Sequence, residues 1–207
     1  MSAAIMIRLA TALLAAVLLS GCVTAYTLVE PQRQTVGGAI SVEPGMKWNK
    51  LAYSAFKGKV ETWTLDGPAL NTLLFFTGVP DGEPLFVRAS ADSGSQEKPP
   101  VFRANMNPIE VQELLEATVK LFFQTTLADE RDLRAAPVAG GRGFRFDTRM
   151  TGQDEVERDG TFVGTIRDGK LYGAWFQGAR LHYFHRYLPE FDRIVSSAQL
   201  VGEAAKK

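Results

Sequence analysis

One cysteine, Cys22, serves 207 residues, so no intrachain disulfide can form and no paired-thiolate metal site can be assembled. Only two histidines are present, His182 and His185. Net charge is missing too: 23 Lys and Arg balance 23 Asp and Glu, which leaves no electrostatic case for nucleic acid or for an anionic membrane surface. No Gly-x-Ser-x-Gly element offers a nucleophile elbow. No Gly-x-x-x-x-Gly-Lys-Ser/Thr or Gly-x-Gly-x-x-Gly frame offers a phosphate cradle. The chain does have apolar bulk, with 13 Phe, 5 Tyr and 3 Trp. That is an adequate stock for a core held by packing alone.

The one sustained apolar stretch runs from Leu9 to Leu19, interrupted only by Thr11 and preceded by the single charge Arg8. A membrane-spanning helix needs about 20 predominantly apolar residues, and Ser20, Gly21 and the polar sequence beyond Thr24 end this one too early. A positive start followed by a short apolar run is the pattern of an export leader. Its end, Leu19-Ser20-Gly21-Cys22, resembles the lipobox of bacterial lipoproteins. The resemblance implies a diacylglyceryl thioether on Cys22, cleavage before it and acylation of the freed amine, which would consume the only thiol. Two or three acyl chains at about 0.8 kcal/mol per buried methylene form a stable anchor. The competing reading is an ordinary secretory leader cut after Ala25, with Cys22 incidental. Val23, standing where Asp would retain a lipoprotein, resembles the pattern of those forwarded to an outer membrane. The expected location is therefore the cell envelope, lipid-anchored, on the outer membrane facing the periplasm.

Removing residues 1–21 leaves 186 residues, enough for one domain. The leader takes one basic and no acidic residue, so the remainder carries 22 minus 23, or a net charge of −1. Residues 22–37 mix Thr, Gln, Pro and Gly-Gly and read as a tether. A single domain is expected over 38–201, with a polar tail over 202–207. Ile40 to Val42 reads as a strand ended by Glu43-Pro44-Gly45, with Trp48 just after. Val60 to Leu65 alternates and stops at Asp66-Gly67-Pro68. The run Leu70 to Val79 contains Leu73-Leu74-Phe75-Phe76, four apolar residues in succession, which predicts a strand covered on both faces. Leu85 to Val87 reads as a short strand and Ala89 to Pro100 as a polar loop. Asn107-Pro108-Ile109-Glu110 then supplies an N-cap, a first-turn proline and a first-turn glutamate. The helix it starts buries Val111, Leu114, Leu115, Thr118 and Phe122 and exposes Glu113, Glu116, Lys120 and Gln124. Strands follow at 133–138, 143–150, 161–167, 170–176 and 180–187, with turns at Asp159-Gly160 and Asp168-Gly169. Pro189 is read as opening a last helix on which Phe191, Ile194, Val195 and Ala198 share a face.

This order of elements, with Trp48 after its Pro-Gly turn and a closing Phe191-Asp192-Arg193-Ile194-Val195-Ser196-Ser197, resembles the PsbP and Mog1 superfamily over roughly residues 38–200. The resemblance implies an α/β (α+β) domain, a three-layer α/β/α sandwich with a central, mainly antiparallel sheet. The doubly covered Leu73–Phe76 strand calls for the same three layers independently, with cover from helices near 108–123 and 189–200. The superfamily is not defined by a catalytic site, so the resemblance implies fold and not mechanism.

Candidate chemistry is sparse. On a strand, His182 and His185 would point to opposite faces and could not share an ion, so no metal is expected. Asp147, Asp154, Glu155 and Glu157 could supply paired carboxylates, but spacing does not make two of them converge, and solvated strand ends are the favoured reading. Ser93-Gly94-Ser95 lies in the polar loop and Ser196-Ser197 on the last helix. Gly140-Gly141-Arg142-Gly143 reads as a turn. Arg142, Arg145 and Arg149 could form a basic strip, but Asp147 in its middle halves the field, and an exposed strand face is favoured over an anion site. Trp48, Trp63 and Trp175, with Tyr172 and Phe176, would line an apolar groove or, by preference, fill the core.

The expectation is a lipid-anchored envelope protein with a binding or structural role, no catalytic residue, no cofactor and Cys22 as its one assigned site. Its expected partner is the membrane, through the lipid, with no nucleic acid; a protein or a small apolar ligand stays open. An envelope hydrolase built from non-contiguous carboxylates and an accessory subunit of a transport or assembly machine are the rival readings.

Overall fold

The computed structural model describes residues 26–52, 54–88, 98–125 and 128–202. The leader, Cys22, Ser93-Gly94-Ser95 and most of the predicted 89–100 loop lie outside these, as does the tail beyond Gly202. The strands are β1 (Tyr26–Val29), β2 (Gln34–Val36), β3 (Ile40–Val42), β4 (Trp48–Leu51), β5 (Phe56–Lys57), β6 (Val60–Thr64), β7 (Asn71–Pro80) and β8 (Val87–Arg88). After the helix α1 (Pro108–Phe123) come β9 (Ala128–Val138), β10 (Gly141–Thr151), β11 (Glu157–Arg167) and β12 (Lys170–Ala179), then α2 (Tyr183–Ser196) and β13 (Gln199–Leu200).

Eight strands form one antiparallel sheet in the order β1-β4-β6-β7-β12-β11-β10-β9. Along β7, Leu73, Leu74, Phe75 and Phe76 are all buried, and alternation divides them between two cores. Leu73 and Phe75 pack with Trp48, Trp63, Phe176 and, from α2, Phe184, Tyr187, Phe191 and Ile194. Leu74 and Phe76 pack with Phe146, Phe162, Trp175 and, from α1, Val111, Leu114, Leu115 and Val119. A small sheet, β13-β3-β2, completes the α2 side. Leu85, Phe86 and Phe102 complete the α1 side. The fold is thus the expected α/β/α sandwich.

Local chemistry explains the boundaries. Asn107 Oδ1 accepts from the Ile109 and Glu110 N–H groups, and the Glu110 carboxylate accepts from Asn107 N–H at 2.7 Å, a complete capping box. The hairpins β9–β10 and β11–β12 turn on Ala139-Gly140 and Asp168-Gly169, both pairs at positive φ, as a two-residue type I′ turn requires. Gly78, at φ 96, makes the bulge at which β7 and β12 shift register.

Four expectations fail. Residues 26–36 are not tether: Val29 and Val36 are buried, and Gly37-Gly38 forms the bend of the β2–β3 hairpin, with Ala39 N–H donating to Val36 O. Leu85 and Phe86 are buried in a loop rather than a strand, and only Val87–Arg88 pairs. Asp159-Gly160 is not a turn but lies inside β11; the reversal comes earlier, where Gly152 N–H bonds Val156 O and Glu155 takes φ 58. Gly160 is required there by close packing, since a Cβ would come within 2.4 Å of Thr148 Oγ1 and 3.0 Å of Phe176 O. Finally, 183–187 is helix, not strand, and Pro189 sits inside α2 rather than opening it. The buried residues Phe184, Tyr187, Phe191 and Ile194 are spaced 3, 4 and 3 apart, a helical stripe.

Candidate functional site

The alternation of Phe144, Phe146, Thr148 and Met150 inward sends Arg145, Asp147 and Arg149 to the opposite face of β10. There they meet Arg131, Asp132 and Arg134 of β9, Asp159 of β11 and the apolar edge of α2, Phe184 and Leu188, around a cleft of about 310 Å³. Arg145 Nε donates to Thr161 Oγ1 at 2.9 Å, and its Nη1 donates to Asp192 Oδ1 at 2.6 Å. Arg134 Nη1 donates to Asp147 Oδ2 at 3.2 Å. Arg149 Nε donates to Asp159 Oδ1 at 2.7 Å, and Arg180 approaches the other oxygen of that carboxylate at 3.6 Å. Asp159 is buried, and its hydrogen bond raises the Arg149 guanidinium above its ordinary value. Four arginines and three aspartates line the cleft, with Asp192 added from α2. The pairs Arg134–Asp147, Arg145–Asp192 and Arg149–Asp159 tie β9, β10, β11 and α2 together.

The carboxylates considered for acid–base work do not assemble. Asp147 reaches the cleft, but Asp154 and Glu155 lie in the β10–β11 turn and Glu157 opens β11. Asp154 accepts from both Arg158 amino groups, at 3.0 and 2.7 Å, and Glu157 accepts from Arg180 at 2.7 Å. The Arg158 hydrogen bonds hold the Asp154 carboxyl below its ordinary 3.8, at about 2, which ill suits it to donate protons. A folded-state value below the unfolded one stabilises the fold above the unfolded value and loses that stabilisation as pH falls. Asp154→Asn is therefore expected to flatten the acid limb of stability between about pH 4 and 2, measured by urea unfolding across that range. The change should be small, because half of the side chain is in water.

The remaining candidates resolve individually. His182 is the N-cap residue of α2, making no side-chain cap bond, and His185 is exposed one turn on. The opposite-faces argument against a shared ion thus lapses. Among the described residues, no group of three or more His, Cys, Asp and Glu is placed to hold a metal. The three tryptophans are core: Trp48, Trp63 and Phe176 face α2, whereas Trp175 faces α1, so they share no groove. Ser197 Oγ accepts from Glu43 N–H and donates to Ile194 O, and Ser196 Oγ donates to Asp192 O. Arg142 is exposed beside the β9–β10 hairpin bend, apart from Arg145 and Arg149. Sequence reasoning missed Arg131, Arg134, Asp159 and Asp192, since their convergence depends on strand register and on where α2 crosses the sheet.

Two apolar depressions accompany the cleft. Phe75, Val163, Tyr172, Ala174 and Ile194 line a narrow cavity of about 20 Å³ between α2 and the sheet. Ile109, Leu133, Ala135 and Phe144 line an open groove of about 390 Å³ at the start of α1.

No protein-family model matches the chain, and no curated protein matches it in sequence. In architecture it is similar to the solution structure of cyanobacterial PsbP (CyanoP) from Synechocystis sp. PCC 6803, with a TM-score of 0.53 and 15% identity over 88% of this chain and 98% of that one. The sandwich anticipated from element order is thus the PsbP-like fold.

Proposed function

We propose that this chain is a lipid-anchored protein of the bacterial cell envelope, on the outer membrane where the host has one, and that it acts by binding or structural support rather than by catalysis. Leu19-Ser20-Gly21-Cys22, following Arg8 and a short apolar run, carries the reading. Two further observations support it. Asp147, Asp154 and Glu157 are each engaged by an arginine, and the fold is similar to that of a superfamily not defined by a catalytic site.

The test is acylation. Radiolabelled palmitate should enter the wild-type chain and not Cys22→Ala, and that variant should leave the membrane fraction or persist with its leader uncleaved. Label retained in Cys22→Ala would refute the anchor.

A further inference from the structure

We propose that the β1–β4 edge of the large sheet is a membrane-docking surface whose partner is the lipid interface holding Cys22; this rests on the lipid-anchored reading above. The first observation is reach. Only Val23, Thr24 and Ala25 separate Cys22 from Tyr26, where β1 begins. At no more than about 3.6 Å per residue, the Cα of Tyr26 stays within about 14 Å of the Cα of Cys22. Acylated, Cys22 would hold β1 against the headgroup layer.

The second observation is the chemistry of that edge. Val29 turns toward the α2-side core with its partner Trp48, so alternation sends Tyr26 and Leu28 to the other face, beside Leu51 and Asn49. Tyr26 is 40% and Leu28 54% exposed. The core on that face takes no residue from β1 or β4 among the described residues, so the patch is left uncovered by α1. A tyrosine with aliphatic neighbours is the composition that settles at the boundary between headgroups and acyl chains. Lys47 and Lys50 stand nearby but are paired with Glu30 at 3.4 Å and Glu61 at 2.9 Å, so docking should not require anionic lipid.

The third observation is the contrast between the two edges of one sheet. The far edge, β9, carries Asp129, Arg131, Asp132, Arg134 and Pro137 and bulges where it pairs β10; these are the devices that stop an edge from pairing with another chain. β1, Tyr-Thr-Leu-Val, has neither charge nor proline. A bilayer interface would cover it and supply partners for its outward N–H and C=O groups.

The experiment places a thiol fluorophore at Leu28→Cys or, separately, at Ile109→Cys, in the lipidated full chain reconstituted in phosphatidylcholine vesicles with doxyl-labelled lipid; Cys22 is blocked by its thioether. Tyr26→Cys serves as a second site should Leu28→Cys fail to fold. Ile109 is 56% exposed but sits at the start of α1 against β9 and β10, seven strand spacings, about 34 Å, across the sheet. The expected result is blue-shifted emission at position 28 that the doxyl lipid largely quenches, and no change at position 109. If the chain floats with vesicles in a Cys22-dependent manner yet both positions stay unquenched, docking is overturned and the anchor stands. If the chain does not float, the anchor reading falls and takes docking with it. A blue shift at position 28 that grows with protein concentration in the absence of vesicles would assign the edge to a second copy of the chain and overturn the bilayer as its partner.

Discussion

Phe75→Ala should lower the unfolding free energy by about 3 to 5 kcal/mol and Leu74→Ala by about 2 to 5 kcal/mol, as large buried truncations do. Phe75 is 1% exposed and Leu74 fully buried, yet they face opposite layers. Phe75 stands edge-on to Trp63 at 4.8 Å within the α2-side core, and Leu74 packs in the α1-side core. The diagnostic is that both are severe. Glu116→Ala, on the outward face of α1, loses an i,i+4 pair with Lys120 and should cost well under about 1 kcal/mol. Urea unfolding with two-state analysis reads all three. A nearly neutral Phe75→Ala beside a severe Leu74→Ala would mean that α2 does not close its face of the sheet.

Gly173→Ala should destabilise by about 1 to 3 kcal/mol, the cost of forcing atoms into a filled interior. The sign is the informative part, because glycine inside a strand ordinarily weakens it by about 0.5 to 1 kcal/mol relative to alanine. Here Gly173 of β12 lies opposite Gly164 of β11, and a Cβ would come within 2.6 Å of Val163 O and 3.0 Å of the Gly164 Cα. Both are backbone atoms of a paired strand, so relief requires moving β11 and not merely turning a side chain. Thermal unfolding of the variant should show a lower midpoint. A raised midpoint would show that the pair of strands separates at little cost.

What could be read in the sequence was whatever is encoded over a few neighbouring residues. Asn107, Pro108 and Glu110 specify the start of α1 within four positions, and the capping box forms. The unbroken apolarity of Leu73–Phe76 announced two covered faces, and Asp168-Gly169 announced its hairpin. Misreadings arose where one local pattern serves two purposes. Asp-Gly makes a turn at 168–169 but a close approach at 159–160, and only the neighbouring Phe176 and Thr148 decide which. Tyr183, Phe184 and Tyr187 have strand-like composition but helical spacing, and Pro189 obscured the start of α2 because proline usually marks a first turn. Tyr26–Val29 passes for tether until β4, about twenty residues on, is there to pair with it. At the cleft, the alternation of Arg145, Asp147 and Arg149 was legible along β10. Its partners Asp159 and Asp192 were not, because strand register and helix placement brought them in.

The seam between β7 and β12 also governs when this sheet can exist at all. Asn71 pairs with Gly178, 107 positions later, whereas β9 to β12 follow one another as hairpins. Closing so long a loop is paid in chain entropy before any contact repays it, and topologies of this kind fold on the millisecond-to-second scale. The hairpin run 128–179 is accordingly the expected early structure, onto which the N-terminal strands dock last. A chain emerging from its N-terminus therefore carries no completed core until Lys170–Ala179 has followed.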